Sequence, residues 1–147
     1  MSCGAKDVAQ YIVNYFIDLG KPVSNLQLQK LLYFTWIDYY DKTVKRLFED
    51  PFIAWPLGPV VHEVYCAYSP YGGLPIFDSY DVRLPDDVDT GVIDGCLEHY
   101  ADYPAYKLVN KSHRKGGAWD TVYNEQGKGA IIEAELIVKL ECGRGAR

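Results

Sequence analysis

The chain has 147 residues, of which 48% are hydrophobic, and it carries a formal net charge of −5. A chain of this length is one domain by default, and it can bury enough surface to fold without disulfides or a structural metal. Its acidity argues against a dedicated nucleic-acid-binding protein, because such proteins carry a basic face. The four cysteines form no CxxC pair, which is typical of free thiols in a reducing compartment.

The sequence predicts neither a secretion signal nor a membrane span. The N-terminal residues MSCGAKDVAQ lack a charged head followed by a continuous apolar run. No stretch reaches the roughly 18 apolar residues that a transmembrane helix needs. We therefore expect a cytoplasmic protein.

The N-terminal part of the chain predicts two helices. Apolar residues recur at helical spacing over residues 5–19, and Gly20 and Pro22 end that pattern. Ser24 and Gln27 form a capping-box pair at the start of a second helix, which runs to about Tyr40. Its apolar residues cover more than one face, so this helix is expected to be central.

Lys30 is conspicuous in the second predicted helix, because an ammonium group is rarely buried without a partner. The favoured interpretation is that Lys30 lies on a narrow polar strip with Gln27 and extends to water. The alternative is that it contacts a partner or anchors a polar network.

The middle of the chain mixes extended segments with turns. Residues 52–55 are compatible with a short strand or an extended segment, since Pro56 biases Trp55 toward extended backbone. Pro59 is suited to the first turn of a helix continuing to about Tyr68. Residues 69–75 predict a loop, and residues 76–84 are ambiguous, with a short strand possible.

The C-terminal half predicts further short helices separated by a loop at residues 113–119. These helices run from Asp86 or Asp87 to about Tyr100, from Pro104 to about Ser112, and over residues 131–140. Residues 141–147 are expected to be a frayed tail. The whole pattern predicts one domain over residues 1–147 with a core at about 5–140. Its fold class is mainly α, with α+β as the alternative: a compact helical bundle with one or two short strands.

No motif for catalysis, a cofactor or a metal is present. HExxH is missing, since His62 and Glu63 are followed by Val, Tyr and Cys, and neither GxSxG nor a phosphate-binding loop occurs. We therefore expect no catalytic residue, no cofactor and no metal. An enzyme with a dispersed site is the minority hypothesis, and it requires Lys30, His62 and His113 to converge in one pocket.

Tyrosine occurs 13 times, which is a high share for this length. Several tyrosines fall on the apolar stripes of predicted helices and are expected in the core. Exposed tyrosine provides large contact area and is enriched at interfaces. The surplus therefore favours a protein-binding surface, with a second copy of the chain as one possible occupant.

Two sequence blocks, LQLQKLLYF and FIAWPLGPVVHEVY, follow an N-terminal amphipathic helix and precede LVNKSHRKGGAWDTVY. In this combination and order the chain resembles the Panacea domain, the SocA-like and phage-associated GepA-like family of bacteria and prophages. The resemblance covers roughly residues 5–140. The motif positions interpreted as scaffold are Leu28, Gln29, Leu31, Leu32, Tyr33, Gly58, Pro59, Val60 and Tyr65.

The resemblance implies a non-enzymatic antitoxin that neutralises a cognate toxin encoded beside it by direct complex formation. One branch of the family implies an alternative, an adaptor that delivers its toxin to a cytoplasmic protease. A DNA-binding regulator is a weaker hypothesis because of the net charge. The residues expected to contact the partner are Lys30, Trp55, Tyr71, His113 and Trp119.

The chain departs from the family pattern at two places. Pro56 and Leu57 stand where an aromatic residue commonly precedes the glycine, and LVNKSHRKGGAW replaces a usual threonine-histidine pair. These departures concern the identity of the partner more than the fold.

Overall fold

A computed structural model describes residues 3–143 of the chain. This part forms seven α-helices, one short 3-10 helix and three short strands. In chain order they are α1 (Ala5–Asp18), α2 (Asn25–Thr43), β1 (Phe52–Trp55), β2 (Gly58–Val60), α3 (His62–Tyr68), the 3-10 helix (Ser69–Tyr71), α4 (Thr90–Tyr100), α5 (Ala105–Ser112), α6 (Ala118–Gln126), β3 (Ile131–Ile132) and α7 (Ala134–Glu141). The fold class is thus confirmed as mainly α, in one compact domain with a small sheet.

The central position predicted for the second helix is confirmed. Helix α2 packs against α1, α3, α4, α5, α7 and β2. Because neighbours surround it, most of its side chains are buried, including Leu28, Tyr33 and Trp36. A helix that is apolar on several faces can bury all of those faces only in the interior of a domain.

The predicted end of the first helix and the predicted start of the second are also confirmed, whereas the second helix continues past Tyr40 to Thr43. After α1, Gly20 adopts a φ of 76°, and the amide of Lys21 donates to the carbonyl of Phe16 at 2.8 Å, which closes the helix C-terminus. At the start of α2 the Ser24 side chain accepts from the backbone of Gln27, and the Gln27 side chain accepts from the backbone of Ser24.

The sheet has the order β2-β1-β3, and both pairs are antiparallel. Ala54 lies opposite Pro59 in the β1–β2 pair, while the amide of Ala54 donates to Ala130 beside β3. Because the N–H and the C=O of Ala54 both bond the 129–130 segment, Ala54 and Pro59 form a non-hydrogen-bonded pair, and the carbonyl of Pro59 points away from β1. This outward carbonyl is important for the candidate site.

The predicted helix start at Pro59 is wrong. Gly58 and Pro59 form β2, and α3 begins only at His62. Gly58 takes a φ of 112°, a conformation that glycine supports and that turns the chain back to pair with β1. The hairpin pairing therefore outweighs the preference of proline for the first turn of a helix.

Two predictions between residues 76 and 100 are corrected. Residues 76–84 form no strand. The Asn14 side chain, instead of another strand, donates to the carbonyl of Tyr80 and accepts from its amide. The helix predicted from Asp86 or Asp87 begins at Thr90, where the Asp89 carboxylate accepts from the amides of Gly91 and Val92.

The C-terminal part also differs from the sequence prediction. Helix α6 was not predicted, and the predicted helix over 131–140 is divided into β3 and α7. Glu141 was assigned to a frayed tail, but it ends α7 and is buried. Residues 144–147 of that tail lie outside the described residues. No helix within residues 3–143 is long and apolar enough to span a membrane.

Candidate partner-binding cleft

A cleft of about 560 Å³ lies between the start of α2, the β1–β2 hairpin, α3 and the loop that follows it. Its walls are mostly apolar, with Leu26, Trp55, Leu57 and Tyr65 among them. Among the described residues that line it, Lys30 is the one charged side chain. We refer to this feature as the α2–hairpin cleft.

Lys30 is completely buried in the wall of the α2–hairpin cleft, so the expectation that it extends to water is wrong. Its ammonium group donates to the outward carbonyl of Pro59 at 2.8 Å. It forms no ion pair with any carboxylate of residues 3–143. Burial without a counter-ion lowers the pKa of Lys30 to about 7.

Gly58 allows this close packing of Lys30 against the hairpin. A Cβ atom at Gly58 would lie 2.5 Å from Ser112 Oγ and 2.7 Å from Lys30 Cε. Real Cβ atoms do not approach other atoms so closely. The motif glycine is therefore required both for its backbone conformation and for the space that its missing side chain leaves.

A network of amide side chains connects α2 to the hairpin and to α3. Gln29 donates to Asn25 at 2.9 Å and accepts from the amide of Val61 at 3.0 Å. Asn25 in turn donates to the carbonyl of Tyr65 at 3.1 Å. Both amides are buried, and the bonds hold the cleft walls at a fixed separation.

An aromatic stack supports the hairpin from behind. The indole N–H of Trp119 donates to the carbonyl of Trp55 at 2.8 Å. His113 stacks on Trp119 with ring centroids 3.8 Å apart, and Tyr123 also stacks on Trp119, at 4.7 Å. The order α5–loop–α6 thus places His113 and Trp119 beneath Trp55, whose own ring contacts Tyr65 in the cleft.

His113 lies within reach of the Lys30 charge. Burial lowers the pKa of His113, and the charge of Lys30 lowers it further. The Nε2 atom of His113 is buried without a hydrogen-bond partner in the described residues. The imidazole is therefore favoured in its neutral form.

The structure places four of the five residues expected to contact a partner around the hairpin, two in the cleft and two behind the hairpin. Lys30 and Trp55 line the α2–hairpin cleft, whereas His113 and Trp119 lie behind the hairpin. Tyr71 lies outside the cleft, and its hydroxyl donates to Asp78. The sequence did not lead to Asn25 and Ser112. Asn25 was recognisable as a polar residue directly after the Ser24 cap.

The three residues named for a dispersed enzyme site do not line one pocket together. Lys30 lines the α2–hairpin cleft, whereas neither His62, which is exposed on α3, nor His113 is among the residues that line it. Among residues 3–143 no three His, Cys, Asp or Glu side chains group closely enough to hold a metal ion.

Comparison with known proteins identifies the family. The family model described as antitoxin SocA-like, Panacea domain, matches residues 28–120, which include most of α2, the hairpin and Trp119. The chain belongs to this family. It is also 33% identical over 142 residues to antitoxin SocA of Caulobacter vibrioides (strain NA1000 / CB15N), a match that covers 86% of this chain and 73% of the relative. No solved structure shows significant similarity to the chain.

Membership of the SocA-like Panacea family confirms the resemblance that the two sequence blocks indicated. In this Panacea domain the α2–hairpin cleft is built by the most recognisable motifs, since LQLQKLLY forms the N-terminal part of α2 and AWPLGPV forms most of the hairpin.

Proposed function

We propose that this protein is a non-enzymatic antitoxin that neutralises a cognate toxin by direct complex formation, with the α2–hairpin cleft as a contact surface. Family membership supports the antitoxin role. The observation that carries the proposed surface is the cleft itself, an apolar concavity with a rigid polar frame, because protein partners dock on preformed apolar surfaces.

The position of the family departures supports the same surface. Pro56 and Leu57, which differ from the usual family pattern, both line the cleft. Leu57 is 56% exposed, although it is a large apolar residue. A rigid frame built from the family motifs, with departures from the family pattern at its mouth, suits recognition of a partner particular to this chain.

Coexpression with the product of the adjacent gene tests the proposal. We expect the wild-type chain to restore growth of cells that express this product, and we expect both proteins to co-purify. Leu57→Asp should weaken both effects, because it places an uncompensated charge in an apolar contact. Val44→Asp is the matched control, since Val44 is 72% exposed and lies outside the cleft.

The half-life of the toxin separates complex formation from delivery to a protease. We expect it to be unchanged when the wild-type chain is present and the toxin is neutralised. A shortened half-life would replace sequestration by the adaptor hypothesis. Unrelieved toxicity without a co-purifying complex would contradict the antitoxin proposal itself.

A further inference from the structure

The α2–hairpin cleft has a marked charge asymmetry. Lys30 is the one charged group among its described lining residues, and no aspartate or glutamate contributes to its walls. Within residues 3–143 the ammonium group has one hydrogen bond, to Pro59, whereas it carries three N–H donors. A buried cation of this kind is strongly stabilised by an anion that enters from the cleft.

The composition of the cleft walls indicates the chemical character of the rest of the ligand. The lining is mostly apolar, and its rim carries the exposed side chain of Leu57. Further exposed apolar residues, Leu74 and Tyr106, directly follow the lining residues Gly73 and Ala105 in the chain. An apolar ligand with a single negative charge therefore complements the cleft.

From this complementarity we propose that the cleft accepts an apolar segment of the toxin carrying one aspartate or glutamate, whose side-chain carboxylate faces Lys30. The inference rests on the proposed function.

The proposal predicts that binding is linked to proton uptake. The pKa of Lys30 is about 7 in the free protein and rises when a carboxylate approaches it. Above pH 7 the partner must therefore bind together with a proton, so affinity falls as pH rises. Below pH 7 Lys30 is already charged, and affinity is insensitive to pH until the carboxylate itself is protonated.

Few other titratable groups face Lys30. Tyr65 on α3 lines the same cleft, and His113 lies after α5. Helix α5 also presents the Ser112 hydroxyl, and β2 presents backbone atoms, neither of which titrates in this range. Because the pKa of His113 is lowered, His113 stays neutral between pH 7 and 9 and does not produce the same dependence.

A fluorescent apolar carboxylate tests the cleft without the toxin. We would titrate the full chain with dansyl-undecanoic acid and with its neutral methyl ester. We expect the affinity for the acid to fall by up to about tenfold per pH unit between pH 7 and 9, and the affinity for the ester to stay constant. Lys30→Met should weaken acid binding at least about tenfold at pH 7 and spare the ester. Lys128→Met, at an exposed lysine, is the control.

A second variant covers the case in which Lys30→Met does not fold. Leu57→Glu places a carboxylate at the exposed rim, so it should reduce binding of the acid about tenfold more than binding of the ester, whereas Val44→Glu should change neither. Acid binding that is independent of pH, or equal in Leu57→Glu and Val44→Glu, would overturn the inference.

Toxin variants then identify the carboxylate. Replacing each Asp and Glu of the adjacent gene product by Asn or Gln should reveal one substitution that weakens the complex and removes its dependence on pH. If wild-type chain and Lys30→Met relieve toxicity equally, the antitoxin proposal stands and the acidic-segment inference fails. If the wild-type chain gives no relief, the antitoxin proposal fails, and the dansyl titrations still decide whether Lys30 binds carboxylates.

Discussion

At the residue scale, the positions that define the family motifs are mostly parts of a scaffold around one cation. Gly58 leaves room for Lys30 Cε and Ser112 Oγ, and Gln29 holds the amide that follows the hairpin. Lys30 itself bonds the hairpin at Pro59. Removal of any of these groups is thus expected to affect folding and recognition together, and stability must be measured beside binding.

Gly58→Ala tests this packing. We expect it to lower the free energy of unfolding by about 2–4 kcal/mol, because it adds both a clash and an unfavourable φ. Gly20→Ala is the matched control, since Gly20 has a φ of 76° but nothing within 4 Å of an added Cβ. It should cost only about 1–2 kcal/mol. Urea unfolding of both variants measures the difference, and equal losses would show that the space at Gly58 is unimportant.

At the element scale, a hydrogen bond joins the C-terminal end of α7 to the N-terminus of α6. The Glu141 carboxylate at the end of α7 accepts from the amide of Ala118 at 2.8 Å and from Arg114 at 3.2 Å. Arg114 also donates to the carbonyl of Leu140 at 2.8 Å. The negative charge thus lies at the N-terminus of α6, where the helix dipole favours it. Since Trp119 follows Ala118 directly, this contact also fixes the support behind the cleft.

Glu141→Gln should destabilise the protein by about 1.5–3 kcal/mol, because it weakens two charge-assisted hydrogen bonds in a buried place. Glu125→Gln, at an exposed position late in α6, should change stability by less than about 0.5 kcal/mol. Chemical denaturation of the two variants gives the comparison. A loss at Glu141 no larger than at Glu125 would mean that the junction contributes little.

The sequence predicted elements whose signals are local. The apolar repeat of α1 and the Ser24–Gln27 capping box depend on residues within one or two turns, so both were found. The β1–β2 hairpin and α6 depend on distant partners: Gly58 packs on Ser112, and Trp119 bonds Trp55. The burial of Lys30 was missed for the same reason. The sequence pattern places Lys30 on a polar strip that reaches solvent, and only the elements packed around α2 exclude that solvent.

At the scale of the whole molecule, the core extends beyond the segment that the family model matches. That match begins at Leu28, yet α1 contributes Val8, Ile12 and Phe16 to the same hydrophobic cluster as α2. The cleft is therefore supported by a helix that lies outside the matched region. The matched region alone therefore lacks part of the hydrophobic core around which the whole domain folds.

Ile12→Ala should cost about 2–5 kcal/mol, as expected for truncating a fully buried aliphatic side chain. Leu19→Ala should cost far less, because Leu19 is 46% exposed at the end of the same helix. Thermal and urea unfolding measure both. If Ile12→Ala were as mild as Leu19→Ala, α1 would be an accessory to the domain and not part of its core.

The outward carbonyl of Pro59 has one more consequence. An exposed strand edge is a template on which other chains pair and aggregate. In this sheet the edge strand β2 has a proline without an N–H at its centre, and the carbonyl of that proline is already occupied by the Lys30 ammonium. The β2 side of the sheet therefore offers no free pairing positions at its centre. Lys30 and helix α2 therefore cover the edge of the sheet on which another strand would have to pair.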